Sequence, residues 1–451
     1  MAPAKAIFQK RWSAKAFVVF FACSLVLFSS GTGSGRPAGG KKGLSCQTLQ
    51  MMARLYMAYG DYTKAQPLAE QALALSKTDN APDSELSSCL IDLAWLYNNQ
   101  GKLGEAEKMS NQGLKLQEDV YGESHPYVAY TLRTLSSIYQ GQGKYREARH
   151  VLDRAVTIME KNHLTDERIM APFQVDIARL LVAQGSFQEA EVYFGRAIDS
   201  INKCYGPSHL YTAGVLGSVA KLYALQGRYV EAEALISETL AVQKKVYGSD
   251  HHLLAPAWLT MAGIYQAKKD YSQAESLLQK ALVAVEEKQG TEHPVTGKVL
   301  STLGGLYVAE GKYAKAEVTC RRAVNVLQNS LGTDNDFTAL ALNNLARLYI
   351  NQGRYPEAQD LCRRALNALE NIFDKNHPKV ADVLETMAQL NKRVGKNAEA
   401  AKLEQRAEKI RASKQVAHWS ITKATEQEGY ALIRTPSNLK AAPREGGSLV
   451  E

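Results

Sequence analysis

The sequence predicts an all-α solenoid built from antiparallel helix pairs, and three observations support this prediction. A motif that usually opens with Gly returns every 42 residues along most of the chain, and periods of this length are typical of repeat architectures. In each copy, apolar residues recur at helical spacing on both sides of the opening residue, which predicts two helices joined by a turn. The chain is 45% hydrophobic, and its 451 residues are more than a single compact core usually organises.

The first segment, residues 1–31, is predicted to be an export signal. Lys and Arg residues precede an apolar run at residues 16–28, and the small residues of "SSGTGSG" follow it, as in a cleavable signal peptide. This run is shorter than the about 20 residues that a membrane-spanning helix needs. An uncleaved N-terminal anchor that tethers the protein to a membrane is the alternative. A lipid anchor at Cys23 is disfavoured because the apolar run continues past it.

The second segment, residues 32–45, is Gly-rich and basic, which predicts a flexible linker. Together the two segments predict an exported protein, periplasmic or secreted, with membrane anchoring as the variant. Removal of the leader with Cys23 leaves five cysteines. An odd number in a long chain does not indicate a disulfide scaffold, and no CxxC pair suggests a zinc or thioredoxin-type site. We therefore expect no metal and no cofactor.

Net charge does not indicate a nucleic-acid partner. The chain carries a formal charge of +8, but residues 1–43 contain seven Lys or Arg and no Asp or Glu. Because residues 412–451 add one further positive charge, the body between them is neutral. A basic footprint for nucleic acid is thus absent from the predicted solenoid.

The third segment, residues 46–411, carries the repeats. The opening positions are Gly60, Gly101, Gly143, Gly185, Gly227, Lys269, Gly311, Gly353 and Gly395. Five residues after each opening position stands an Ala, and in most copies a Tyr stands four residues before it. Small residues at fixed positions let neighbouring helices approach closely, while the Tyr fills the space between them. A single pair cannot bury both of its faces, so each unit needs the next.

The loops between units repeat a His, as in "GESHP" at residues 122–126. The histidines at the shared position are His125, His209, His251, His293 and His377. Equivalent positions of successive units lie about 20 Å apart at roughly 10 Å per helix layer, so two of them cannot hold one metal ion. We interpret these loops as N-caps of the following helices, with Pro at the first helical turn.

The motif small-x-x-Tyr, then Gly-Lys/Arg-Tyr-x-x-Ala-Glu and a downstream Ala, resembles the tetratricopeptide repeat. The 42-residue period, with "LNNLARLY" and Gly-x-x-His-Pro, is similar to the kinesin light chain subclass. The resemblance covers about eight full units with degenerate ends. It implies a right-handed superhelix whose first helices line a concave groove that binds peptides or partner proteins. Motor binding is not implied, because the coiled-coil heptads expected ahead of such repeats are absent.

The resemblance also indicates which positions would face a ligand in the groove. These are polar positions on the first helices of the units: Arg133, Asp176, Arg179, Lys221, Asn343, Asn344 and Arg347. Asn and Arg side chains can hydrogen-bond a peptide backbone and carboxylates. The alternative is that each is an ordinary solvated helix residue.

Cys320 and Cys362 lie at equivalent positions one unit apart, a separation beyond disulfide reach. Since other units place Leu, Phe or Ile there, we predict that both thiols belong to the core.

No nucleophile elbow, phosphate-binding Gly loop or zinc-binding His-Glu pair occurs, so we do not expect an enzyme. The sequence predicts an exported scaffold that binds a peptide or partner protein in its groove. The alternative is a structural assembly factor for an envelope complex, acting through the convex face or through the last segment, residues 412–451. This segment departs from the repeat pattern and is predicted to be a mostly irregular tail. The sequence names no partner and no oligomeric state.

Overall fold

The computed structural model describes residues 44–78, 81–373 and 375–427 of the chain. The predicted export signal and all but two residues of the predicted linker lie outside these ranges. Within them, helices follow one another in pairs, and no strand occurs. This confirms the predicted all-α superhelical solenoid of antiparallel helix pairs.

The helices are numbered in chain order, so that each odd number is the first helix of a pair. Their bounds are α1 Cys46–Ala58, α2 Tyr62–Ser76, α3 Asp83–Asn99, α4 Leu103–Tyr121, α5 Pro126–Gly141, α6 Tyr145–Lys161, α7 Glu167–Ala183, α8 Phe187–Tyr205, α9 Leu210–Leu225, α10 Tyr229–Tyr247, α11 Ala255–Ala267, α12 Tyr271–Gln289, α13 Pro294–Ala309, α14 Tyr313–Leu331, α15 Asp336–Asn351, α16 Tyr355–Ile372, α17 Pro378–Arg393 and α18 Asn397–Gln427. A short 3₁₀ turn, His252–Leu254, precedes α11.

The turn inside each pair requires a left-handed residue. The opening position of each repeat has a positive φ, for example +76° at Gly101 and +76° at Gly353. Glycine adopts this conformation without a Cβ penalty. Lys269 is the non-glycine member and holds a φ of 62°. This backbone demand explains why Gly punctuates the sequence at a fixed interval.

The small residues predicted to allow close helix approach are all buried. The Ala residues five positions after the opening residue are 0% exposed, namely Ala65, Ala106, Ala148, Ala190, Ala232, Ala274, Ala316, Ala358 and Ala400. Cys320 and Cys362 are also buried, which confirms that both are core residues. A Cβ on Gly304 would lie 2.5 Å from Sγ of Cys320. The contact between first and second helices therefore leaves no room for a larger residue at this position.

The last described helix runs past the predicted end of the solenoid. Helix α18 continues to Gln427, so residues 412–427 of the predicted irregular tail are helical. No Gly or Pro stands between Gly395 and Gly429, and without a breaker the helical backbone continues. The remainder of the tail lies outside the described residues. No helix in the described part of the chain has the length and apolar character needed to cross a membrane.

Candidate functional site

Successive turns of the superhelix are in contact, so that helix pairs late in the chain pack against helix pairs near its beginning. Three side chains at the N-caps of α13, α15 and α17 reach backbone carbonyls 194 residues earlier in the chain. The contacts are His293 Nε2 to the Asn99 oxygen at 3.0 Å, Asn335 Nδ2 to the Gly141 oxygen at 3.1 Å and His377 Nε2 to the Ala183 oxygen at 2.9 Å. A separation of 194 residues is between four and five repeats, which is the length of one superhelical turn. We call these three residues the inter-turn clamp.

Each clamp side chain forms two hydrogen bonds. The Val295 amide donates to Nδ1 of His293 at 3.1 Å, which caps α13. Because Nδ1 accepts this bond, the proton of the neutral ring lies on Nε2 and is donated to the Asn99 carbonyl. Asn335 does the same with its amide, accepting from Phe337 through Oδ1 and donating to Gly141 through Nδ2. The prediction that the loops between units cap the following helices is confirmed, but the capping group is the His side chain itself and not the Ser, Asp or Glu beside it. The second bond is the feature that the sequence did not show.

The Gly turns of the first superhelical turn are where the clamp residues approach. A Cβ on Gly101 would lie 2.4 Å from Cδ of Pro294, and one on Gly185 would lie 2.8 Å from Cδ of Pro378. A Cβ on Gly353 would meet nothing within 4 Å. Gly101 and Gly185 therefore meet two requirements. Each adopts the left-handed backbone conformation between the two helices of its pair, and each leaves room for the proline of the next superhelical turn.

The packing of successive repeats brings lysines from separate first helices close to one another. Lys221 of α9, Lys298 of α13 and Lys379 of α17 lie close enough to Asp336, at the start of α15, for their charges to act on each other. Lys298 and Lys379 also both lie over the Phe337 ring, at 3.6 and 5.6 Å from its centroid. Because other first helices separate α9, α13 and α17 in sequence, the packing of several repeats brings these residues together. We call Asp336 and the three lysines the cationic chamber.

Asp336 is the buried centre of the cationic chamber. It is 1% exposed and forms an ion pair with Lys379. Burial alone would raise the pKa of its carboxyl group, but Lys379, Lys298 and Lys221 outweigh burial and lower the pKa. The buried Tyr145 lies near this carboxylate, whose charge adds to burial in raising the pKa of the Tyr145 hydroxyl. The carboxylate therefore stays charged and holds the lysines together.

The three lysines exceed the single acid, and only Lys379 forms a direct ion pair with it. Within the described residues, neither Lys221 nor Lys298 forms an ion pair. Burial lowers the pKa of Lys298 to about 8, and Lys221 and Lys379 contribute to this shift. The Lys298 ammonium lies 3.6 Å from the centroid of the Phe337 ring, and the Lys221 side chain remains exposed to solvent. Concentrated like charges with a low-dielectric wall attract anions.

Several of the predicted groove residues are engaged with neighbouring first helices. Arg133 donates to Asp176 at 2.6 Å, and Arg179 donates to Ser218 at 3.2 Å. The Asn344 amide donates to the Ser301 carbonyl at 3.0 Å. These bonds join α5 to α7, α7 to α9 and α13 to α15, so they hold successive repeats in register.

The predicted groove residues also differ in how much of each residue is exposed to solvent. Asn343 and Asn344 are 5% and 8% exposed, which places them in the helix interface rather than on an open surface. A Cβ on Gly305 would lie 3.1 Å from the Asn344 amide nitrogen, so the Asn side chain packs where the neighbouring repeat is small. Arg347 is half-buried, and Arg179 remains largely exposed. Only Lys221 among the predicted residues belongs to the cationic chamber.

Sequence reasoning did not select Lys298, Lys379 or Asp336. Lys298 lies four residues before the polar position Thr302, one helical turn away along the same face of α13. A prediction that also included the residue one helical turn before each selected position would have found Lys298. Asp336 and Lys379 lie at the beginnings of their helices, among positions that were assigned to capping. Asp336 and Lys379 come close to Lys221 and Lys298 only through the packing of several repeats, and a local sequence pattern does not reveal such long-range contacts.

The comparisons with known proteins agree with this architecture. A family model described as Tetratricopeptide repeat matches five overlapping stretches, at residues 170–245, 211–287, 253–329, 296–353 and 337–413. These stretches together span more than half of the chain. A second model, described as a MalT-like TPR region, matches residues 43–204. No curated protein matches the chain at a significant level.

Among solved structures, the chain is similar to a Rap protein crystallised in complex with Competence and Sporulation Factor. The TM-score is 0.61 at 15% sequence identity, and the match covers 82% of this chain and 98% of that one. A putative kinesin light chain with TPR-like repeats from Podosopora anserina matches with a TM-score of 0.35 at 23% identity, over 46% of this chain and 98% of that one. The first of these similarities supports the solenoid fold.

Proposed function

The chain belongs to the tetratricopeptide repeat family, and on this premise we propose that it is a non-catalytic interaction scaffold that binds an acidic segment of a partner protein in its concave interior. The cationic chamber carries this proposal. Lys221 and Lys298 form no direct ion pair within the described residues, and an anionic ligand would provide one for each. The Rap protein of similar fold was crystallised in a complex, which supports a binding role for this architecture.

Binding would use charge-assisted hydrogen bonds from the lysine ammonium groups to carboxylates. Such bonds contribute about 1.5–3 kcal/mol each, and they gain strength where the site excludes part of the water. Arg179 lies near Lys221 and adds positive charge at the same side of the interior. A peptide rich in Asp or Glu, bound along the first helices, would satisfy this arrangement.

The first experiment measures binding of a short oligoglutamate peptide to the full chain by titration calorimetry. We expect Lys221→Gln combined with Lys298→Gln to weaken binding by about tenfold or more, since about 1.4 kcal/mol corresponds to a factor of ten. The matched control is Lys244→Gln combined with Lys245→Gln, which removes the same charge from the exposed end of α10. Added salt should weaken binding to the parent protein.

An affinity of the chamber variant equal to that of the parent protein would contradict the chamber as the binding site. Loss in both variants alike would indicate attraction by net charge alone. Binding of an envelope partner through the convex face or residues 412–451 would survive the chamber variant and fail on deletion of residues 428–451. Arg133 is unsuitable as a test residue, because its replacement removes the shorter of the two ion pairs of the half-buried Asp176 and confounds binding with stability.

We also propose that the protein is exported, periplasmic or secreted, with residues 1–31 as the signal. The basic start and the short apolar run at residues 16–28 support this proposal. Expression in the source cell, followed by fractionation and mass measurement of the mature chain, should show a protein that begins near residue 32. Recovery of the intact chain from the cytosol would contradict export, and recovery of the intact chain from the membrane would favour an uncleaved anchor.

A further inference from the structure

Two buried thiols meet between the first helices of the first two repeats. Cys46 is the first residue of α1, and Cys89 lies within α3. Their sulfur atoms are 3.5 Å apart, and the residues are 9% and 1% exposed. We propose that Cys46 and Cys89 form a disulfide that ties α1 to α3 when the protein encounters an oxidising thiol–disulfide couple.

The geometry requires little movement. A disulfide has an S–S bond of about 2.05 Å, so the two sulfur atoms need to approach by about 1.5 Å. The helices that carry them are already aligned, because Arg54 of α1 forms an ion pair with Asp92 of α3 at 2.9 Å. Gln50 also donates to Asp92 at 3.3 Å. The thiols are therefore held opposite each other by polar contacts on the same two helices.

This pair differs from Cys320 and Cys362. Those residues occupy the same position in successive second helices, and equivalent positions are separated by a whole repeat. Cys46 lies 14 residues before Gly60, whereas Cys89 lies 12 residues before Gly101. The offset of two residues places the two side chains at different heights of adjacent first helices, where they converge.

Access of an oxidant depends on α1. This helix is the first described element of the solenoid, and the Ser45 side chain caps its first turn at Thr48. Burial raises the pKa of both thiols, so the closed structure keeps them protonated and slow to react. Fraying of the first turn of α1 exposes Cys46 first, because Cys89 lies in the middle of α3.

The chemistry is exchange with a disulfide of the glutathione class. The Cys46 thiolate attacks one sulfur of the oxidised disulfide and forms a mixed disulfide, which releases one thiol. As α1 refolds, the Cys89 thiolate attacks the Cys46 sulfur and expels the second thiol. Two protein thiols and one small disulfide thus yield one protein disulfide and two small thiols. The new bond encloses α2 and restrains the end of the solenoid, where a repeat has a neighbour on one side only.

The test incubates the full chain with oxidised glutathione and analyses it by non-reducing peptide mass mapping. We expect a linked peptide pair that contains Cys46 and Cys89 and that disappears with dithiothreitol. The control variant Cys204→Ser removes an exposed thiol and should retain the link. The variant Cys89→Ser should abolish the link and leave a glutathione adduct on Cys46.

Recovery of Cys46 and Cys89 as free thiols, while Cys204 of the parent protein carries glutathione, would overturn the proposal. In that case the oxidant has reached an accessible thiol and has not closed the pair. Limited proteolysis gives a second readout, since cleavage within α1 should slow several-fold in the linked protein. An unchanged cleavage rate of the linked protein would overturn the restraint of α1.

Discussion

Gly101→Ala is expected to open the superhelix, whereas Gly353→Ala is expected to cost only local backbone strain. Both positions have a φ of 76°, and this left-handed conformation costs a residue with a Cβ about 1–2 kcal/mol. The two differ in their surroundings. The new methyl group at position 101 would lie 2.4 Å from Cδ of Pro294, while that at position 353 would have nothing within 4 Å.

The Pro294 ring cannot move away easily, because it opens α13 directly after the clamp residue His293. Relief of the clash therefore requires separation of the two superhelical turns and loss of the His293 to Asn99 hydrogen bond. We expect urea unfolding to show a larger stability loss for Gly101→Ala than for Gly353→Ala. Small-angle scattering should show a larger radius of gyration for Gly101→Ala alone.

Equal stability losses with unchanged scattering would contradict the closed superhelix. Gly185→Ala provides an independent repetition, since its Cβ would lie 2.8 Å from Cδ of Pro378. A superhelix that is open in solution would tolerate all three substitutions equally.

Stability is expected to fall as the pH falls from about 6.5 to about 4. His252 and His293 are buried, and burial lowers the pKa of each ring to about 4. The charges of His251, Lys288 and His293 lower the pKa of His252 further, and Asp61 raises it. The hydrogen bond to the Asn99 backbone raises the pKa of His293, and Lys298 lowers it. Because the unfolded state binds a proton near pH 6.5 and the folded state does so near pH 4, acid favours unfolding.

Because the folded state lowers the pKa of both histidines, their contribution makes stability increase with pH. Above about pH 6.5 both states hold neutral rings, and the contribution to stability is complete. It decreases as the pH falls and is lost below the folded pKa of about 4. A difference of this size corresponds to about 3 kcal/mol for each histidine. Urea unfolding at pH 7 and at pH 5 would measure the greater part of it.

The clamp offers its own control for this prediction. Asn335 occupies the position of His293 one repeat later and forms the same two hydrogen bonds without titrating. His293→Asn should therefore preserve stability at pH 7 and reduce the acid-dependent loss by about half. Protonation of His293 places a hydrogen on Nδ1, where it opposes the Val295 amide, so the acid form loses the cap. An unchanged pH dependence in His293→Asn would contradict the role of this residue.

Much of the fold could be predicted from the sequence because every repeat has to satisfy the same local conformational and packing requirements. The positive φ at the turn restricts one position to Gly in nearly every copy, and close helix approach restricts another to Ala. The N-cap function of the loop histidines needs only residues two apart, as between His125 and Tyr127. These requirements act within a unit or between adjacent units, so a fixed spacing of residue types reveals them.

The candidate site was only partly readable. Lys221 was selected from its position on the first helix, and it lies in the cationic chamber. Asn344 was selected by the same rule, but the small Gly305 of the preceding repeat lets its amide pack inward. Identical positions of different repeats thus face different neighbours, and position alone did not separate an exposed lysine from a buried asparagine.

The amino-acid sequence alone determined the repeat period, the helix pairing, the helix caps and the close contacts at the alanines. All four depend on interactions within one or two repeats. The inter-turn clamp and the cationic chamber arise from the pitch of the superhelix. That pitch accumulates from a small rotation at every interface between repeats, so it is a property of many packed units together. His293 and Asn99 are 194 residues apart, and they meet because those rotations sum to one closed turn.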